Sequence, residues 1–229
     1  MTGIIAATQV EADLLLRQLA EKKTETIQGK SFYAGYLHSL PVTICICGVG
    51  KVNAAHGTTL LIERYRPEIV YIVGVAGAYP SSGLKIGDVA VADKEIYGDE
   101  GLMIGEEFHP MDKLFGEIQS SEFRVRNEFP MFIPKELGNF NRGAFITVST
   151  CTGSLNRGRE LEKRFYAVCE NMEGAAIAQV CALNNIPATE IRGVSNIIED
   201  RTAGPLNRED IILAAENAQR LFMDVIAGG

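Results

Sequence analysis

Residues 42–51 read Val42-Thr43-Ile44-Cys45-Ile46-Cys47-Gly48-Val49-Gly50-Lys51, and residues 69–77 read Ile69-Val70-Tyr71-Ile72-Val73-Gly74-Val75-Ala76-Gly77. Each is an apolar run without polar alternation that closes in glycines. A strand buried on both faces has this pattern, whereas a half-solvated strand alternates. Between them, Val52 to Tyr65 carries Ala54, Ala55, Leu60 and Leu61 at helical spacing, and Arg66-Pro67 stops it. Strand, glycine turn, helix, strand is the rhythm of an α/β protein whose largely parallel sheet is covered by helices.

Working outward, Gly3 to Thr8 predicts a short first strand, Glu11 to about Glu21 a helix, and Ser31 to Leu37 a strand beside Val42 to Cys47. Asp93 to Asn141 scatters Gly, Pro, Phe and charges, which predicts long loops with short elements and no second core. Order resumes with strands at Gly143 to Ser149 and Val168 to Glu170, a helix at Glu173 to Leu183, a strand at Ala188 to Ser195 and a closing helix at Arg208 to Val225. One domain over 1–229 is expected. A chain of 229 residues buries enough surface to need neither disulfides nor a structural metal.

Lys and Arg number 22 against 29 Asp and Glu, a net charge of −7. Both nucleic acid and an anionic membrane attract a basic face, so neither is expected as partner. The N-terminus has no basic region before its apolar stretch and reads as a buried strand, not a signal peptide. The 5 cysteines form no CxxC spacing, and Cys45 and Cys47 share one face of a strand as small core residues. A reducing cytoplasm is the expected compartment.

Two familiar motifs fail. Gly48-Val49-Gly50-Lys51 lacks the spacing and following hydroxyl of a P-loop, and Asn53 stands where a dinucleotide fingerprint needs its third glycine. His38, His56 and His109 match no metal spacing. Cys151 has no nearby histidine to activate it and is expected to be structural or pocket-lining. Neither cofactor nor metal is expected.

Ligands of open α/β sheets bind beyond the carboxyl ends of the strands. Glu11, Glu173 and Asn196 fall at such ends. Alone, each carboxylate could simply stabilise a helix N-terminus, and Asn196 could be a turn residue.

Five blocks in register change that balance. Gly48-Val49-Gly50-Lys51-Val52-Asn53-Ala54-Ala55, Gly74-Val75-Ala76-Gly77-Ala78, Leu84-Lys85-Ile86-Gly87-Asp88-Val89, Asn171-Met172-Glu173-Gly174-Ala175-Ala176-Ile177-Ala178 and Arg192-Gly193-Val194-Ser195-Asn196 resemble the nucleoside phosphorylase and nucleosidase superfamily over nearly the whole chain. The resemblance implies a three-layer α/β fold with a twisted mixed, mostly parallel sheet closing towards a barrel and flanked by helices. It implies cleavage between ribose and purine, with a small-molecule nucleoside and water as partners and a homodimer or larger homo-oligomer as assembly. Glu173 would accept hydrogen bonds from the ribose hydroxyls and Met172 would pack beneath the sugar. Ala76, Gly77, Thr152 and Gly153 would complete the substrate site.

Within the superfamily, Thr8-Gln9-Val10-Glu11 stands where several phosphorylases build part of a cationic phosphate site. A carboxylate there suits water activation, so hydrolysis is expected with Glu11 as general base. Asn196 stands where methylthioadenosine/S-adenosylhomocysteine nucleosidases carry aspartate. An amide accepting from a protonated N7 and donating to a 6-oxo group suits hypoxanthine, so the pattern looks like that of the futalosine hydrolases, with futalosine as expected substrate and menaquinone biosynthesis as setting. The alternatives are a methylthioadenosine/S-adenosylhomocysteine nucleosidase, a 6-oxopurine nucleoside phosphorylase, a dinucleotide-dependent oxidoreductase and a non-catalytic nucleoside-binding protein.

Overall fold

A computed structural model describes residues 1–115, 126–201 and 206–228. In chain order the elements are β1 (Thr2–Ala6), α1 (Asp13–Gln18), β2 (Ala20–Ile27), β3 (Lys30–Leu37), β4 (Leu40–Ile46), α2 (Lys51–Tyr65), β5 (Ile69–Ala78) and β6 (Val89–Tyr97). There follow β7 (Gly101–Ile104), β8 (Glu107–Pro110), α3 (Met111–Phe115), β9 (Glu128–Pro130), β10 (Asn141–Thr147), α4 (Leu155–Phe165), β11 (Ala167–Asn171), α5 (Gly174–Leu183), β12 (Ala188–Ile197) and α6 (Arg208–Ala227).

The main sheet runs β11-β10-β6-β12-β5-β1-β4-β3-β2. A further pairing of β11 with β5, through Cys169 opposite Ala78 and Glu170 opposite Gly77, closes β5, β12, β6, β10 and β11 into a five-stranded barrel. The sheet is mixed. β1 pairs parallel with β4 and β5, and β12 with β5, while β12–β6, β11–β5 and the β2-β3-β4 meander are antiparallel. The α/β fold with a mixed sheet closing into a helix-flanked barrel is the one expected.

The continuous apolar runs have a direct cause. β1 and most of β5 and β12 are buried. α2 and α5 cover one face through Ala54, Leu61, Ile62, Ala175, Ile177 and Cys181, and α1 and α6 cover the other through Leu15, Leu16, Ala218, Leu221 and Phe222. Gly193 on β12 lets α6 approach so closely that any Cβ there would collide with the Ala214 carbonyl.

Several expected boundaries are corrected. The first helix ends at Gln18, and Ala20–Ile27 is an exposed charged strand pairing with β3. Charged residues are what an edge strand uses to discourage further pairing, and they hid it from an apolar reading. The segment 93–141 holds the end of β6, the β7–β8 hairpin, α3 and β9, and its residues 116–125 lie outside the described ones. α4, unassigned from sequence, is capped by Ser154, whose side chain accepts from the Arg157 N–H. No described helix is long and apolar enough to cross a membrane.

Candidate active site

The carboxyl ends of β1, β4, β5, β11 and β12 meet around a cavity of about 460 Å³. Register puts them there. Gly77 lies opposite both Glu170 and Asn196, and the chain after β1 runs beside that after β4, with Cys47 and Gly48 donating to the Ala6 and Ala7 carbonyls. The lining includes Ala76, Gly77, Thr152, Met172, Glu173, Asn196 and Glu11. Gly153 is not in it; its carbonyl accepts from the Arg201 N–H.

Glu11 does not cap a helix. It is 4% exposed, and its Oε2 accepts from Thr8 N and Thr8 Oγ1, both at 2.8 Å, while Oε1 accepts from Val75 N at 2.9 Å. Those donors fix both oxygens at the end of β1. Burial pushes the Glu11 carboxyl above its ordinary value, the Arg192 guanidinium opposes this, and Glu173 adds to it. A carboxylate so placed is a stronger proton acceptor than one in water.

Glu173 opens α5 without capping it. Its Oε1 takes the Gly50 N–H at 3.0 Å, and its Oε2 lies 3.5 Å from Arg192 Nη1. Gly50 has φ +93°, a conformation glycine adopts freely. The Gly48-Val49-Gly50 turn therefore presents an N–H to a protein carboxylate rather than to a phosphate.

Arg192, which the sequence did not single out, lies within ion-pair distance of both acids. It is 1% exposed on β12, with Nη1 3.8 Å from Glu11 Oε1 and 3.5 Å from Glu173 Oε2. Burial works against its charge, but Glu190, Glu173 and Glu11 outweigh that and its pKa is raised. The available signal was Arg192 two residues after Glu190 in the strand from Ala188, a spacing that puts opposite charges on one face, where a buried charge persists only when paired. Gly74 makes room for this group. A Cβ there would stand 2.5 Å from Arg192 Nη1 and 2.6 Å from Glu11 Oε1.

At the other side of the cavity, a register shift between Val194 and Asn196 displaces β12 locally. Asn196 Oδ1 accepts from Ser195 Oγ at 3.0 Å, and a Cβ on Gly77 would come within 3.0 Å of Asn196 Nδ2. Glu170, also missed, ties down the neighbouring loop, accepting from Thr152 N and Thr152 Oγ1 at 2.7 Å and from Tyr79 OH at 2.9 Å. Cys151 lines the cavity with its sulfur 3.3 Å from Met172 Sδ; burial raises its thiol pKa, so it is not an activated thiolate.

The phosphorylase superfamily model matches residues 2–227. The chain belongs to the phosphorylase superfamily. It is 32% identical over 199 residues to a 5′-methylthioadenosine/S-adenosylhomocysteine nucleosidase of Staphylococcus aureus, covering 86% of each chain. It is 28% identical over 226 residues to the enzyme of that name from Maridesulfovibrio salexigens, covering 98% of this chain and 97% of the relative. Among solved structures, the Colwellia psychrerythraea nucleosidase of this kind in complex with adenine superposes with a TM-score of 0.83 at 27% identity, over 99% of this chain and 94% of that one.

These relatives overturn the expectation of futalosine hydrolysis and of a place in menaquinone biosynthesis, favouring instead the methylthioadenosine/S-adenosylhomocysteine alternative. The Asn196 amide is compatible with a neutral adenine edge as well as with hypoxanthine, since it can donate from Nδ2 to N7 and accept at Oδ1 from a 6-amino group. That two-bond pairing is a standard way for asparagine to recognise adenine.

Proposed function

We propose that the chain hydrolyses the N-glycosidic bond of 5′-methylthioadenosine and S-adenosylhomocysteine, releasing adenine. The observation that carries this reading is the Glu11 carboxylate, buried in the cavity wall and 3.8 Å from the guanidinium that also meets Glu173. Glu11 takes a proton from water, the water oxygen bonds to C1′, and the C1′–N9 bond breaks. The electron pair leaves with the base, which takes up a proton from solvent, while Glu11 returns the proton it took to solvent. Ribose hydroxyls donating to Glu173 strengthen their bonds as positive charge develops at the sugar. Asn196 orients the base and stabilises its departing electrons through N7, and Met172 packs beneath the sugar.

Two buried carboxylates beside the reacting centre would repel a phosphate nucleophile, which supports hydrolysis over phosphorolysis. The test is to incubate the protein with methylthioadenosine, S-adenosylhomocysteine, adenosine and inosine, with and without phosphate, and to quantify free base and sugar. Adenine from the two thio-substituted substrates without phosphate is expected. Failure to release adenine from either, or release only with phosphate as a ribose 1-phosphate, would overturn the reading.

A further inference from the structure

Behind the cavity wall lie two acids that the proposed reaction does not use. Glu95 on β6 and Glu190 on β12 are both 0% exposed, and their Oε1 atoms face the same small space under α5, where a single Cβ on Gly174 would meet both. Two carboxylates held this close and away from water do not both ionise, so one carries a proton that the pair can share.

The neighbours indicate which. Glu95 Oε2 accepts from Thr147 Oγ1 at 2.8 Å and Oε1 accepts from Asn171 Nδ2. As a neutral acid, Glu95 keeps both bonds, because a hydroxyl oxygen can accept from Asn171 while donating to Glu190. Burial and the adjoining Glu190 push the Glu95 carboxyl well above the usual carboxylate range. Glu190 Oε1 accepts from Arg192 Nε at 2.7 Å, and its Oε2 has no hydrogen-bond partner among the described residues.

We propose that Glu95 and Glu190 are positioning residues: Glu95 is a neutral acid bonded to Glu190, and the single charge left on the pair holds the Nε side of Arg192 while Nη1 bridges Glu11 and Glu173. The chain thus runs from Asn171, whose Oδ1 accepts the N–H groups of Glu173 and Gly174, through Glu95 and Glu190 to the guanidinium. Gly174 is what lets the acids meet under α5, since a Cβ there would collide with Glu95 Oε1 and stand 2.7 Å from Glu190 Oε1. Glu190 draws part of the Arg192 charge away from Glu11, which keeps Glu11 a stronger base.

The groups facing Glu11 are Arg192, Glu173 and Cys47, whose thiol burial pushes up to about 12 and keeps neutral. Those facing Glu190 are Glu95, Arg192 and the buried Cys169 thiol, also raised by burial.

Glu190→Gln preserves the acceptor for Arg192 and Glu95 and places its new amide where Oε2 has no partner, so shape is kept and charge is lost. With Arg192 then shared only by Glu11 and Glu173, the acid limb of the kcat/KM profile should move to lower pH, and kcat should fall more than KM rises. A profile that overlays that of the unaltered protein would overturn the proposal, even if Tm fell. Infrared spectra of the substrate-free protein at neutral pH should show a carboxylic-acid C=O band that Glu95→Gln removes and Glu190→Gln shifts. If neither variant alters such a band, Glu95 is not the neutral acid. The kinetic arm rests on the nucleosidase reading. The infrared arm does not, so a protein that cleaves no nucleoside would sink that reading while leaving the proton assignment to be decided on its own.

Discussion

Glu11 and Asn196 divide the proposed chemistry between nucleophile and leaving group, and each can be tested singly. Glu11→Gln removes the base, and turnover should drop by about 10²–10⁴-fold. Whichever way the amide is placed, its nitrogen faces Val75 N–H or Thr8 N–H. The variant should therefore also lose about 1–3 kcal/mol of stability, seen as a lower Tm in a protein that still binds adenine. Turnover close to that of the unaltered protein would reject the general-base role. Asn196→Asp supplies a carboxyl that can protonate N7, and kcat for methylthioadenosine should rise by up to about 10²-fold. An unchanged kcat would show that position 196 does not touch the base. Residue identity alone was legible for Glu11 and Glu173, which end strands in a motif context. For Asn196 the residue type was legible, but not the base it favours, because an amide both donates and accepts.

The elements that matter most are β12 and α6. β12 carries Arg192 and Asn196, and α6 packs on it across Gly193. Gly193→Ala should force the helix off the strand and destabilise the fold by about 1–3 kcal/mol or more, read as a lower denaturation midpoint. If the midpoint is unchanged, that packing does not set the position of β12. At α4, Ser154→Ala removes the N-cap bond to Arg157 and should cost about 1 kcal/mol, with little effect on turnover. The buried strands and α2, α5 and α6 could be read from the chain because their periodicity is apolar. β2 and α4 could not. β2 is an exposed edge rich in charge, and α4 buries little beyond Gly158 and Leu161, so neither leaves an apolar signature.

At the scale of the whole molecule, burying carboxylates links stability to pH. Glu11 and Glu95 have folded-state pKa values raised above the ordinary 4.5. Between that value and the raised ones, the folded chain holds more protons than the unfolded chain, so stability falls as pH rises through this window. Tm should therefore increase as the buffer is taken from about pH 8 towards about pH 5. The trend should reverse in stronger acid. Asp99, where burial is outweighed by its bonds to Lys51 and Ser149, and Glu160, bonded to Arg157, have lowered pKa values and lose their stabilising charge there. A Tm that climbs steadily from acid to alkaline pH would contradict the assignment of raised values to Glu11 and Glu95.

The sequence alone determined the α/β class, the apolar strands and the strand-end acids, because burial on two faces and the turn at a strand's end leave their mark on neighbouring residues. Closure of the barrel through β11 and β5, the placing of Arg192 between Glu11 and Glu173, and the contact of Glu95 with Glu190 were decided only by the tertiary structure. Glu95 and Glu190 are separated by most of a hundred residues of chain, and Glu11 and Arg192 by far more. No local pattern specifies which buried charges share one interior; that follows from sheet order and register, and from the need of every buried charge for a partner.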